Sequence, residues 1–128
     1  MSRNKKFYIC NICGNLVDMI TDKGIPLVCC GKEMTELIAN TVEASAEKHL
    51  PECTFSNNVL TVQVGSVLHP MTEEHHIEFI YVETKNGGQL KYLDIEAEPK
   101  AEFLFTDDKP IAVYEYCNIH GLWKTELK

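Results

Sequence analysis

The apolar residues beyond about residue 38 fall into short runs, one of which alternates cleanly with a period of two. From Val59 to Gly65, Leu60, Val62 and Val64 stand against Thr61 and Gln63, the pattern of a strand with one face buried. His76–Thr84 is rich in Ile, Phe, Tyr and Val, and Gln89–Ile95, Ala101–Thr106, Ile111–Cys117 and Gly121–Leu127 are further strand candidates. Turn-forming residues separate them: Asn57-Asn58, Asn86-Gly87-Gly88, Glu98-Pro99 and Asp107-Asp108-Lys109-Pro110. Short runs at this spacing predict an antiparallel sandwich or barrel. About seven strands in roughly 90 residues is the size of an immunoglobulin-like sandwich. Only Thr41–His49 invites a helix, of one or two turns.

The chain before about residue 38 reads differently. Its apolar stretches, Lys5–Ile9 and Asn15–Ile20, are short and are broken at Gly14 and at Lys23-Gly24. So short a segment buries too little apolar surface to fold unaided, and a bound metal is one staple that makes up the difference. The expected organisation is therefore a small domain over residues 1–37 and a sandwich over residues 38–128.

Composition narrows the setting. The chain has 128 residues, 45% hydrophobic and 24% charged, within the range of soluble globular proteins. No apolar run approaches the ~20 residues of a membrane helix. Met1–Lys6 is charged with no apolar core behind it, so the sequence predicts no secretory signal and a cytoplasmic location, where thiols stay reduced. The net charge is −7 with Lys and Arg scattered, which argues against nucleic acid as a partner. A small anionic substrate would need a local positive group to overcome that charge.

In a reducing setting the six cysteines read as metal ligands rather than disulfides. Cys10-x-x-Cys13 puts two thiolates on one tight turn relaxed by Gly14, and Cys29-Cys30 supplies two more. Four thiolates suit zinc or a single iron. The adjacency of Cys29 and Cys30 departs from the repeated C-x-x-C of zinc ribbons and predicts a distorted site. Cys53 has no such partner and reads as a small apolar or exposed thiol.

A second constellation lies later, where all five histidines stand beyond residue 48. Glu47-Lys48-His49 is a charged loop bearing an imidazole. His69-Pro70-Met71 leads to His75-His76, of which at most one faces a common site if both begin a strand. Cys117-Asn118-Ile119-His120-Gly121 is a C-x-x-H knuckle at a strand end. Four imidazoles and a thiolate exceed the needs of tetrahedral zinc and leave an octahedral metal one open position, which suggests a redox metal with a small substrate.

Taken together, these motifs resemble desulfoferrodoxin, the two-iron form of superoxide reductase, over nearly the whole chain. Cys10, Cys13, Cys29 and Cys30 match its desulforedoxin-like, rubredoxin-type iron site. Glu47-Lys48-His49, His69-Pro70-Met71 with His75, and Cys117–Gly121 with Trp123-Lys124 match its catalytic domain, and the match selects His75 over His76. The resemblance implies two non-haem irons per chain, Fe(Cys)4 and Fe(His)4(Cys). His49, His69, His75 and His120 would be equatorial and Cys117 axial, on an immunoglobulin-like sandwich. It implies one-electron reduction of superoxide to hydrogen peroxide, a rubredoxin-like electron donor and a homodimer. Lys48 would attract the anion and hold a protonating water, and Glu47 matches the carboxylate that can reach the sixth position after oxidation. The alternative is an electron carrier without catalysis.

Overall fold

The computed structural model describes residues 5–127, so the opening stretch Met1–Lys6 falls mostly outside the described residues. The chain divides into two compact units, one ending at Ile38 and the other beginning at Ala39.

The first unit holds two small sheets. β1 (Lys6–Ile9) lies between β2 (Leu16–Met19) and β5 (Thr35–Leu37), antiparallel to both. A separate hairpin joins β3 (Val28–Cys29) to β4 (Lys32–Glu33). Little is buried here besides Phe7 and Cys10, as expected of so short a segment. Ile20, Ile25 and Val28 are largely exposed.

In the second unit α1 (Ala46–His49) precedes seven strands, β6 (Pro51–Ser56), β7 (Val59–Val64), β8 (Ile77–Thr84), β9 (Gly87–Tyr92), β10 (Lys100–Leu104), β11 (Pro110–Cys117) and β12 (Gly121–Glu126). They form a three-stranded sheet in the order β10-β7-β6 and a four-stranded sheet in the order β12-β11-β8-β9. This is the expected sandwich of immunoglobulin type, with β9 kept beside β8 by a tight hairpin at Lys85-Asn86. Leu60, Val62 and Val64 of β7, Ile80 and Val82 of β8, Phe103 of β10 and Val113 of β11 meet in one core between the sheets. Each side chain so buried contributes roughly 1.5–3 kcal/mol.

Asn57 and Asn58 both have positive φ, 53° and 63°, as the primed turn of a two-residue hairpin requires. That turn joins β7 to β6, a strand the alternation did not announce. β6 is an edge strand with only Pro51 fully buried, so its sequence need not alternate. The helix also begins later than expected, at Ala46, because the β-branched Thr41 and Val42 favour extended backbone.

Candidate metal centres

The first centre is built from two turns. Beyond β1 the chain wraps into a knuckle in which the Gly14 N–H donates to the Cys10 carbonyl (2.9 Å) and the Cys10 N–H to the Asn15 carbonyl (2.8 Å). The second turn is Cys30-Gly31, closing the β3–β4 hairpin with φ of 54° and 75°. Two successive positive φ values give another primed turn, and they let neighbouring cysteines face one site. Cys30 is the non-glycine residue in this pair and carries a strain of about 1 kcal/mol.

The sulfurs of Cys10, Cys13, Cys29 and Cys30 lie within 4.8 Å of one another. Amide N–H groups point at them, from Cys13 to Cys10 Sγ and from Asn15 to Cys13 Sγ, both at 3.5 Å. The Cys13 N–H draws the Cys10 thiol down to about 6, whereas the sulfur of Cys13 foremost pushes Cys30 up to about 12. Four sulfurs this close ionise together only around a cation, and the donor set fits iron or zinc.

The second centre draws on four separate segments. α1 presents His49 from its last residue, the loop after β7 carries His69, the bend before β8 carries His75, and the β11–β12 hairpin carries Cys117 and His120. Their ligand atoms again lie within 4.8 Å of one another. His49 and His69 are each fixed through Nδ1, at 2.7 Å from the Ser45 and Pro70 carbonyls. A carbonyl only accepts, so each Nδ1 carries the proton and each Nε2 presents a lone pair. Those two Nε2 atoms sit 3.2 Å apart, and His49 Nε2 is 3.1 Å from His120 Nδ1. Cys117 Sγ lies 3.5 Å from His69 Nε2, and His75 Nε2 is buried without a hydrogen-bond partner. Imidazole lone pairs and a thiol converging on one point form the donor set of a metal site. A four-imidazole, one-thiolate set fits iron, with His49, His69 and His75 offering Nε2 and His120 offering Nδ1.

The surroundings hold this set neutral and aligned. Burial foremost lowers the basicity of His49 and His75 and takes His69 down to about 4, which favours the neutral, ligating form of these three rings. Burial raises Cys117, whose thiol would give up its proton on binding metal. The Trp123 ring stacks on His49 at 4.9 Å and 22°, while its Nε1–H donates to the His120 carbonyl at 3.2 Å. Lys48 and Glu47 are exposed beside buried His49. The Lys48 charge is felt at both His49 and His75.

His76 lies outside the cluster, with its Nδ1 2.9 Å from the Thr72 carbonyl. Cys53 also lies apart, and burial raises it to about 12.

Three residues given no role from sequence lie at or near this site. A Cβ on Gly65 (φ +86°) would stand 2.2 Å from the Val67 carbonyl oxygen, 2.7 Å from that of Lys48 and 2.9 Å from that of Glu47. Gly65 therefore lets the β7 end seat the turn that carries Glu47, Lys48 and His49, and its N–H donates to the Leu50 carbonyl (3.1 Å). Glu115 is fully buried on the face of β11 shared by Val113 and Cys117, and neither carboxylate oxygen has a partner. Burial keeps its pKa well above the usual range. Its signal was a lone acid in an apolar alternation. Asn118 sits inside the knuckle motif, where spacing alone drew attention only to Cys117 and His120.

Known proteins are similar to this chain in sequence and fold. A family model described as Desulfoferrodoxin matches residues 41–126, and one described as Desulfoferrodoxin, N-terminal domain, matches residues 2–37. The desulfoferrodoxin of Syntrophotalea carbinolica is 42% identical, covering 98% of this chain and 99% of that one. The crystal structure of the superoxide reductase from Treponema pallidum superposes with a TM-score of 0.82 at 34% identity, covering 97% of this chain and 100% of the other. The superoxide reductase (1Fe-SOR) from Giardia intestinalis aligns over 64% of this chain and 98% of its own, with 32% identity and a TM-score of 0.54.

Proposed function

The chain belongs to the desulfoferrodoxin family, and on that premise we propose that it reduces superoxide to hydrogen peroxide at the histidine–cysteine centre. The observation that carries this reading is the convergence of His49, His69, His75, His120 and Cys117 on one point beside an exposed lysine. The overall change is one electron and two protons added to superoxide. Iron held there supplies the electron.

The protein's own groups do the rest. The carbonyls of Ser45 and Pro70 fix the tautomers of His49 and His69, so their Nε2 lone pairs face inward without rearrangement. Trp123 covers the outer face of His49 and excludes water from it. Lys48 Nζ supplies the local positive charge that a net charge of −7 would otherwise deny an anion. The same ammonium holds the water that delivers protons to the product. Glu47, exposed two residues before His49, would be the carboxylate that approaches the site after oxidation, a role the family resemblance implies.

The division of labour assigns residues 1–37 to an accessory Fe(Cys)4 centre and residues 38–128 to catalysis. A rubredoxin-like donor, a homodimer and a cytoplasmic location belong to the same proposal. Family membership supports all three, and thiolate ligation requires the reduced cysteines of such a compartment. Among the described residues no helix is long and apolar enough to cross a membrane.

The test adds limiting superoxide to the reduced, iron-loaded protein without oxygen. Peroxide equal to the superoxide consumed, with matching oxidation of iron and no dioxygen, is expected. Dioxygen formed beside peroxide with no net iron oxidation would mean dismutation and would sink the proposal.

A further inference from the structure

We propose that Asn118 is a positioning residue that aligns His75 with the Cys117–His120 knuckle and so sets how firmly the second centre holds iron; this rests on that centre being the metal site described above. The Asn118 side chain works as one peptide unit of a β-ladder. Its Oδ1 accepts from the His76 N–H at 2.9 Å, and its Nδ2 donates to the Glu74 carbonyl at 2.9 Å. Its main-chain N–H donates to the His76 carbonyl at 3.2 Å. Residues 74 and 76 flank His75, so the amide grips the backbone on both sides of that ligand.

The ladder needs such a piece at this point. β11 and β8 pair as Tyr116↔Phe79 and then slip, so that Cys117 faces Ile77. One residue further the chain enters the hairpin turn and regular pairing stops. The side chain of Asn118 continues the pairing past the end of the strand.

His75 also needs such support, as its ring, like that of His120, has no hydrogen bond at the second nitrogen among the described residues. Metal-bound imidazoles are oriented by a hydrogen bond at the other ring nitrogen. His49 and His69 have theirs. Among the described residues the His75 ring has none, so its aim depends on its backbone. Thr72 fixes the bend from within, its Oγ1 accepting from the His75 N–H at 3.1 Å. Asn118 ties that bend to the element bearing two other ligands.

The test follows iron loss to a chelator from the iron-loaded protein, each centre read by its own absorption. Asn118→Ala should speed loss from the second centre about 10- to 100-fold, the usual cost of removing an outer partner of a ligand, and leave the first centre unchanged. Asn118→Asp, which keeps the acceptor and loses the donor, should fall between the two and serves if the alanine variant folds poorly. In a His75→Ala background, where four donors remain, Asn118→Ala should add little, because its target is gone. Equal acceleration in both backgrounds, or none in either, would overturn the proposal. A parent that binds iron but dismutates superoxide would defeat the functional reading and leave this one standing.

Discussion

The two centres differ in how far apart in the chain their ligands lie, and that difference governs what each depends on. The first gathers residues 10 to 30 with two tight turns, and its geometry is local. The second gathers residues 49 to 120, and no turn could assemble it. It exists because a sandwich brings a helix end, a loop, a bend and a hairpin to one edge. The first unit buries little besides Phe7 and Cys10 and leans on its centre, whereas the second centre rests on a large apolar core that Cys117 itself joins.

The largest expected effect breaks the second centre directly. Cys117→Ser should abolish its thiolate-to-iron absorption and lower superoxide reduction by at least about 100-fold, leaving the first centre's spectrum intact. Full activity with that band retained would remove Cys117 from the ligand set. Next comes the scaffold. Gly65→Ala forces a methyl against three carbonyl oxygens and should cost at least about 2 kcal/mol in denaturant unfolding, with weaker iron retention at the second centre only. Lys48→Ala should leave both spectra alone, slow the reaction with superoxide about 10-fold and flatten its dependence on ionic strength.

Glu115 offers a subtler test. An unfolded glutamate ionises near 4.5, while burial holds the folded one protonated to higher pH. Between those values the unfolded chain binds fewer protons, so stability falls as pH rises. Glu115→Gln removes that slope. Its melting temperature should exceed the parent's at pH 8, and the gap should close towards pH 4.5. The smallest effect sharpens the contrast itself: Cys13→Ser should erase the first centre's absorption while the rate of iron loss from the second stays within about 2-fold.

How legible each part was follows from the same distinction. The Cys10-x-x-Cys13 turn, the adjacent Cys29 and Cys30, and the Asn57-Asn58 hairpin are local, and local chemistry is written in neighbouring residues. β7 announced itself by alternation, whereas β8 and β11, buried along most of their length, stood out by their apolar and aromatic content. β6 did not, since an edge strand needs no second buried face. At the second centre the ligand types stood out, but which of His75 and His76 turns inward is not set by spacing. It follows from the bend before β8, where the His76 ring sits against the Thr72 carbonyl and His75 joins the cluster. Gly65 and Asn118 were harder still. Each acts through atoms distant in sequence, the carbonyls of Glu47 and Lys48 for one and the backbone around His75 for the other.

The separation of the second centre's ligands also fixes an order of events during synthesis. A nascent chain has all four cysteines of the first site once Cys30 has left the ribosome, and that site can take up metal while translation continues. The other cannot close until His120 has emerged and the last hairpin has folded back onto β8. Synthesis proceeds at roughly 5–20 residues per second and domains fold as units, amino-terminal first, so the ligands of the first site are complete seconds before those of the second.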